Sequence, residues 1–227
     1  MSFVTDCIKE NLPLWESCLD TPFLRGMTDG SLPEDCFIGY IIDDSLYLRE
    51  YAKIFAYGIA AAKTMDEIKA FYSLLSFVNE AESSTRLYYL NHYQLSDQKL
   101  QVLPQRPENK AYTDTMLQAA KTHPTAAVCI MAALPCMLSY GYIFGRILKE
   151  CRSVQQTPYA RFVNDYADGS YDRLCKEWIA FAETACADLS ETEKAFCRFL
   201  FTACSKHEMA FWKMSEKPRE DIRLCRL

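Results

Sequence analysis

Two carboxylates interrupt apolar helix faces in this chain, and each of them needs a partner. Phe37, Tyr40, Asp44, Tyr47 and Tyr51 are spaced 3, 4, 3 and 4 residues apart, so all five lie on one face of a helix. An ionised carboxylate buried in such a face is costly unless it is paired or hydrogen-bonded. Asp44 is therefore either bonded to a tyrosine hydroxyl or a helix end, or it binds a ligand.

The same pattern recurs near the end of the chain. Cys197, Phe201, Cys204, Glu208 and Phe211 follow a spacing of 4, 3, 4 and 3 residues. Burial penalises the charged form of a carboxyl group and raises its pKa, which suits such a group to general acid catalysis near neutral pH. The alternative is a glutamate that extends past the edge of the face towards a lysine, and for a lone glutamate this alternative is favoured.

A proline and a cysteine stand together in the apolar segment TAAVCIMAALPCMLSYGYIFGRIL. Pro135 lacks a backbone N–H and its ring clashes with the carbonyl of Met131, which predicts a kink in the helix. Cys136 lies one turn before Tyr140, on the same face. Because the three histidines of the chain are isolated from one another, a cysteine–histidine pair is not indicated. Cys136 is either a small packing residue or a nucleophile activated by tyrosines, a carboxylate or the substrate.

Long helices are needed to position these residues, and helix signals recur along the 227-residue chain. Glycine occurs only seven times, and no segment alternates polar and apolar residues, so the sequence predicts an all-α bundle. Ser31, Thr64 and Ser190 each begin a capping box. The predicted helices span residues 3–19, 33–62, 65–93, 108–121, 124–151, 158–166, 170–187 and 191–214. We expect a single domain over residues 1–227, with 216–227 as a C-terminal tail.

Composition excludes several classes of function. The net charge of −5 and the lack of a basic stripe argue against nucleic-acid binding. The first residues do not form a signal peptide, and the most apolar stretch, Thr125–Met137, is too short to span a bilayer. Eleven scattered cysteines without a C-x-x-C motif argue against a zinc site and indicate a reducing compartment. We therefore expect a soluble, cytoplasmic protein that binds no membrane.

Five segments, in order, resemble the TenA (thiaminase II) family. They are DGSLPEDCFIGYIIDDSLYLREYAKIFA, NKAYTDTML, LPCMLSYGYI, YARFVNDYA and HEMAFWKMS, and together they cover nearly the whole chain. The resemblance implies the haem-oxygenase-like helical fold and a homotetramer. It also implies a hydrolase that acts on the aminomethyl group of a degraded thiamin pyrimidine, or cleaves thiamin itself, without a metal or cofactor.

The resemblance also assigns roles residue by residue. Cys136 stands at the family's nucleophile, Glu208 at its general acid, and Asp44 where the family binds the aminopyrimidine. The other matches are aromatic residues of the pocket: Tyr47 near the thiol, Tyr112, Tyr140, Tyr166, and Phe211 as a wall. The cysteine identifies the chain with the cysteine-bearing branch of the family.

Three positions depart from the family pattern: Asp43 replaces a glutamine, His207 a tyrosine and Arg86 a histidine. Because neighbouring residues on a helix face different ways, we expect Asp43 and His207 to leave the chemistry unchanged. Two other functions stay open. One is a non-catalytic pyrimidine-binding or regulatory protein on the same scaffold. The other is a haem protein, which would need an axial His or Cys ligand, and no histidine lies on the faces described above.

Overall fold

The fold is built from α-helices that are joined by short turns. We describe a computed structural model, and the structure covers residues 2–77 and 83–227. Within these residues the chain forms eleven α-helices and two 3-10 helices, and no β-strand. The α-helices are α1 Phe3–Cys18, α2 Pro22–Asp29, α3 Glu34–Ala61, α4 Met65–Phe77, α5 Ser83–His92, α6 Asp97–Leu100, α7 Pro107–Thr122, α8 Ala126–Glu150, α9 Ala160–Ala167, α10 Gly169–Cys186 and α11 Glu191–Ser215. The 3-10 helices are Arg152–Gln156 and Ile222–Cys225.

Most of the predicted helices are confirmed. All except 65–93 are found, with both ends within two residues of the prediction. The segment 65–93 contains α4 and α5 instead of one described helix, and residues 78–82 between them lie outside the described residues. The periodic spacing of apolar residues therefore located nearly every long helix of the described chain.

Two helices were missed because their apolar pattern is short. α2 has eight residues and begins with a proline in its first turn, where the missing N–H costs nothing. It ends at Gly30, which adopts the left-handed conformation with φ 83°. The helix therefore carried start and stop signals that periodicity alone did not detect. α6 has only four residues, about one turn, which is too short for a periodic pattern.

Two of the three predicted capping boxes are confirmed. The side chains and backbones of Ser190 and Glu193 bond reciprocally at the start of α11. Thr64 and Glu67 exchange two such bonds, each of 3.2 Å, before α4. The box at Ser31 is wrong, because α3 begins later and is preceded by Pro33, with no side-chain cap. The Ser31 amide instead donates to the carboxylate of Asp29 (2.9 Å) in the turn after α2.

Four helices form the centre of the fold. α3, α7, α8 and α11 each pack against the other three. α9 and α10 pack against α8 as well, and α1 packs against α11 and α10. α8 is buried on every side from Ala126 to Pro135, as a helix that is apolar all round must be. Residues that project between these four helices therefore face one another.

α8 is longer than the apolar stretch recognised in the sequence. It continues through Pro135 to Glu150, close to the predicted 124–151, so Thr125–Met137 is only the first half of its apolar length. Among the described residues, α8 is the one helix that passes a test for membrane spans based on length and composition. However, 83% of its most apolar window is buried inside the fold. Its apolar surface is therefore accounted for by packing against other helices.

Two helical glycines predict opposite effects of the same substitution. A Cβ added at Gly58 of α3 would lie 2.4 Å from the ring of Phe71, which is fully buried on α4. We expect Gly58→Ala to lower the free energy of unfolding by about 1–3 kcal/mol, because the ring must move. A Cβ added at Gly145 of α8 would meet no described atom within 4 Å. Gly145→Ala is therefore expected to raise it by about 0.5–1 kcal/mol through helix propensity.

Urea denaturation of the two variants and the wild type measures both effects. Gly145→Ala is the matched control, since it adds the same methyl group in the middle of a helix. Equal shifts of the same sign for both variants would contradict the packing described for Gly58.

Candidate active site

The carboxyl group of Glu208 is buried inside the four-helix core. It belongs to α11, and the residue is only 3% exposed. Burial raises the pKa of the Glu208 carboxyl from 4.5 to about 7, and interactions with Tyr112, Cys136 and Ser139 oppose that rise. These three residues come from α7 and α8. The carboxyl group therefore exchanges its proton near neutral pH, as a general acid does.

The thiol of Cys136, on α8, lies beside this carboxyl group. From Ala126 to Tyr140, Cys136 is the one residue that is not buried. Its side chain hydrogen-bonds the Glu208 carboxyl group. Ser139, one turn further along the same helix, also interacts with Glu208 and donates to the Cys136 carbonyl (3.3 Å). The helix thus brings a partly accessible thiol to a buried acid.

α3 adds a second carboxylate to the same region. Asp44 is buried, with 8% of its surface exposed. The pKa of the Tyr140 hydroxyl is raised by burial first, and the charges of Tyr40, Asp44, Glu208 and Cys136 add to the rise. Tyr140 therefore lies within electrostatic reach of Asp44, Glu208 and Cys136 together, although these come from three helices. The hydroxyl groups of Tyr40 and Tyr140 are hydrogen-bonded at 2.8 Å.

Tyr47 of α3 and Tyr112 of α7 also belong to this cluster. Burial raises the pKa of Tyr47, and the nearby Cys136, Tyr112 and Glu208 raise it further. The rings of Tyr47 and Tyr112 are 5.0 Å apart. The Tyr112 hydroxyl is close to Tyr47 and to Glu208, but no described residue meets it with full hydrogen-bonding geometry. Since an unsatisfied buried hydroxyl costs about 1–3 kcal/mol, this group is suited to receive a ligand or water.

Phe211 and Tyr166 occupy different positions relative to this cluster. The ring of Phe211 packs edge-on against Tyr47 (5.9 Å) and Tyr40 (6.0 Å), as a pocket wall would. Tyr166 contacts the ring of Tyr140 (5.1 Å) and also lines a groove between α1, α8 and α10. The structure therefore brings Phe211 directly against the tyrosines of α3, and Tyr166 against the cluster through Tyr140.

Sequence reasoning missed two polar residues here. Ser139 is fully buried and touches Glu208, but a serine in an apolar helix gave no signal beyond its distance of one turn from Cys136. Tyr40 belonged to the predicted face of α3 and was given no role, yet its hydroxyl holds that of Tyr140. Both contacts join different helices or helix turns, which spacing along one helix does not reveal.

Asp43, the first departure from the family pattern, points away from the cluster. It is fully buried and forms ion pairs with Arg106 and with Arg219. Burial raises the pKa of the Asp43 carboxyl, and the two guanidinium groups oppose the rise. The extra charge is therefore compensated by two arginines on the other side of α3.

The other two departures differ in their distance from the site. Arg86 forms an ion pair with Asp97 (2.7 Å) at the start of α6. The ring of His207, by contrast, stacks on Tyr112 at 5.3 Å and its Nε2 bonds to the hydroxyl of Thr115 (3.0 Å). Burial lowers the pKa of His207. His207 leaves α11 in a different direction from Glu208, but its ring still contacts the cluster through Tyr112.

The described residues contain no group of three or more His, Cys, Asp or Glu side chains that could hold a metal ion. The polar groups of the cluster are thus a thiol, two carboxylates and several hydroxyls, framed by aromatic rings. Such a set of flat walls and hydrogen-bonding groups fits a planar, nitrogen-rich ring.

Comparison with known proteins agrees with the family that the sequence resembles. The model of the TENA/THI-4/PQQC family matches residues 8–217. The chain belongs to this family. Among curated TenA relatives, an aminopyrimidine aminohydrolase of Halalkalibacterium halodurans is 30% identical over 96% of this chain and 97% of its own length. A protein of the same name from Bacillus subtilis is 26% identical, over 95% of this chain and 90% of its own.

Solved structures of TenA proteins share the fold. A TenA family transcription regulator from a Silicibacter species superposes with a TM-score of 0.86 and 22% identity, over 95% of this chain and 97% of that one. A TenA homologue from P. horikoshii gives 0.83 and 21%, over 95% and 98%. The chain therefore has the all-α, haem-oxygenase-like fold of these proteins.

The pKa of Glu208 predicts how stability depends on pH. The folded-state pKa of about 7 lies above the ordinary value of 4.5, so the folded protein binds the proton more tightly than the unfolded chain does. The stabilisation by this proton is present at low pH and is lost as pH rises to about 7. We expect Glu208→Gln to remove roughly 2 kcal/mol of the decline in unfolding free energy between pH 5 and pH 8.

Denaturant titrations at several pH values measure this difference. Glu220→Gln is the control, because Glu220 is exposed and its variant should follow the wild-type curve. Identical pH dependence of wild type and Glu208→Gln would show that the carboxyl group is not held in the protonated state by burial.

Proposed function

We propose that this TenA protein hydrolyses a thiamin-type aminopyrimidine, replacing the amino group on the 5-methylene carbon with a hydroxyl group. In this proposal 4-amino-5-aminomethyl-2-methylpyrimidine and water give the hydroxymethylpyrimidine and ammonia. The reaction would recover the pyrimidine half of degraded thiamin. Cleavage of thiamin itself is the same displacement with the thiazole as leaving group.

One observation carries the proposal: a partly exposed thiol, Cys136, touches a buried carboxyl group, Glu208, whose pKa is about 7. A nucleophile in contact with an acid that holds a proton near neutral pH is the pair that covalent catalysis on a ring requires. The names of the curated relatives, aminopyrimidine aminohydrolases, support the choice of substrate. Their sequences align with this chain over nearly its whole length.

We propose that the reaction begins with addition to the ring. The Cys136 thiol gives its proton to the aminomethyl group of the substrate, and its sulfur forms a bond to a ring carbon of the pyrimidine. Glu208 donates its proton to a ring nitrogen, which receives the displaced electron pair. The electron pair on that nitrogen then expels ammonia from the methylene carbon and leaves an exocyclic methylene group on the ring.

The second half of the proposed reaction reverses the first. Water adds to the methylene carbon and gives a proton to the Glu208 carboxylate. The ring nitrogen then loses its proton to the Cys136 sulfur as the carbon–sulfur bond breaks, and the ring recovers its aromaticity. Asp44 accepts a hydrogen bond from the amino group of the ring, since a carboxylate accepts such hydrogen bonds strongly. Tyr47 lies near the thiol and Tyr112 offers its unsatisfied hydroxyl, while Phe211 covers one face of the ring.

Removal of the thiol tests the covalent step. Cys136→Ser is expected to fold and to bind hydroxymethylpyrimidine, yet to lose roughly a thousandfold or more of kcat for aminomethylpyrimidine, because the hydroxyl is a much weaker nucleophile. Cys151→Ser is the matched control, since Cys151 is the other cysteine that is not fully buried. The measurement is release of hydroxymethylpyrimidine, followed by chromatography.

Near-normal turnover by Cys136→Ser would remove the nucleophile from the proposal. If the wild type instead binds hydroxymethylpyrimidine, seen as a rise in Tm, but turns over neither pyrimidine, a regulatory pyrimidine-binding protein is the better conclusion. That candidate is favoured by one similar structure, which is described as a transcription regulator.

Comparison of two substrates tests the leaving group. We expect kcat/KM for aminomethylpyrimidine to exceed that for thiamin by at least about tenfold, because the cluster is lined by buried tyrosines and a small amine needs less space than a thiazole. Assays of both substrates with one enzyme preparation measure the ratio. A ratio below one would make thiamin the preferred substrate.

We also propose a cytoplasmic homotetramer, as the family resemblance implies. The free cysteines other than Cys136 and Cys151 are buried thiols, which fits a reducing compartment. Light scattering during size-exclusion chromatography measures the mass of the assembly against 26.1 kDa for one chain.

A further inference from the structure

The chain beyond α11 returns to α3 and packs along one face of it. The Cys36 thiol donates to the carbonyl of Glu216 (3.2 Å). One turn later, a Cβ added at Gly39 would lie 3.1 Å from the backbone nitrogen of Arg219, so a larger residue there would push this backbone slightly away. After one more turn, Asp43 pairs with Arg219 at 2.5 Å. We call Cys36, Gly39 and Asp43 the tail face of α3.

This tail face adjoins the face that carries the candidate site. Asp43 and Asp44 are consecutive, so their side chains leave the helix about 100° apart. One carboxylate meets the C-terminal segment and the other meets the cluster around Glu208. Because a helix turn moves as a unit, whatever fixes Asp43 also fixes the position of Asp44 and, one turn on, of Tyr47.

Arg219 is held in a fully specified geometry. Its side chain is 3% exposed. The guanidinium group donates to Asp43, to the carbonyl of Pro104 (2.9 Å) and, through two nitrogens, to both oxygens of Asp221 (2.8 Å each). A planar fork with this many partners has one orientation, which the single ammonium of a lysine does not reproduce.

Arg106 completes the attachment from the other side. It pairs with the second carboxylate oxygen of Asp43 and donates to the carbonyls of Met214 and Lys217 at 2.9 Å each. The end of α11, the segment after it, the start of α7 and the middle of α3 therefore meet at one buried carboxylate. The helices α3, α7 and α11 also supply residues of the candidate site.

We propose that Arg219 is a positioning residue for the active site, which through Asp43 fixes the turn of α3 that presents Asp44 and Tyr47 to the pyrimidine. The proposal rests on the proposed function for its kinetic consequence. The guanidinium group of Arg219 bonds to Asp43, Pro104 and Asp221, so its effect is on how the ring is bound and not on the bond-breaking step.

The kinetic test is Arg219→Met, which keeps much of the side-chain length and removes the charge. Asp43 then still has Arg106 as a partner, so the carboxylate is not left unpaired. We expect KM for aminomethylpyrimidine to rise about tenfold and kcat to change by less than about threefold, because binding is lost equally from substrate and transition state. Arg219→Lys should recover only part of the affinity.

The structural test is hydrogen exchange followed by mass spectrometry. Amides of residues 43–48 are expected to exchange about tenfold faster in Arg219→Met than in the wild type, while residues 126–135 of α8 keep their rates. Arg223→Met is the matched control, because it removes the same charge from an exposed position four residues further along the same segment. It should leave both KM and exchange unchanged.

The outcomes separate the two proposals. If the wild type does not turn over the pyrimidine, the proposed function fails, and the exchange rates alone still test the attachment of α3. Unchanged exchange at residues 43–48, or an equal rise of KM in Arg223→Met, would overturn the positioning role. If neither Arg219 variant folds, Arg219 is required for folding and the proposal is also rejected.

Discussion

The rest of this structure depends on the burial of one carboxyl group, that of Glu208. Glu208 lies where four helices meet, and its neighbours are hydroxyls, a thiol and aromatic rings. An ionised group there would need a compensating cation, so the protein favours the protonated form instead. Each of the four helices contributes at least one polar side chain to the cluster around this group. The candidate site is thus a polar interior without a compensating cation, unlike the buried Asp43, which is paired with Arg106 and Arg219.

The sequence was sufficient for most of the long helices, and it indicated several residues of the candidate site. Apolar periodicity located α3, α7, α8 and α11, and the two interrupted faces singled out Asp44 and Glu208 before any fold was known. Cys136 could not be selected in this way, since a cysteine in an apolar helix is usually a packing residue. The resemblance to the TenA family distinguished it. In the structure Cys136 also differs from its neighbours, because it is the one residue between Ala126 and Tyr140 that is not buried.

The contacts that escaped the sequence join residues far apart in the chain. The pairing of Asp43 with Arg219, the stacking of His207 on Tyr112 and the bond between Tyr40 and Tyr140 each depend on how helices pack. Helical spacing predicts which residues share a face, but it does not state what lies opposite. The cap at Ser31 failed for a related reason, because the preceding turn already engaged its amide. Local rules were overridden wherever a neighbouring segment offered a better partner.

The apolar character of α8 has a consequence for synthesis of the protein. This helix would pass for a membrane span by length and composition, and in the finished fold it is covered in part by α9, α10 and α11. Those helices follow it in the chain, so a nascent chain that ends before them leaves part of the apolar surface of α8 uncovered, although α3 and α7 precede it and can already pack against it. This part stays uncovered until the last long helix emerges, and exposed apolar surface of this kind favours aggregation of the unfinished chain.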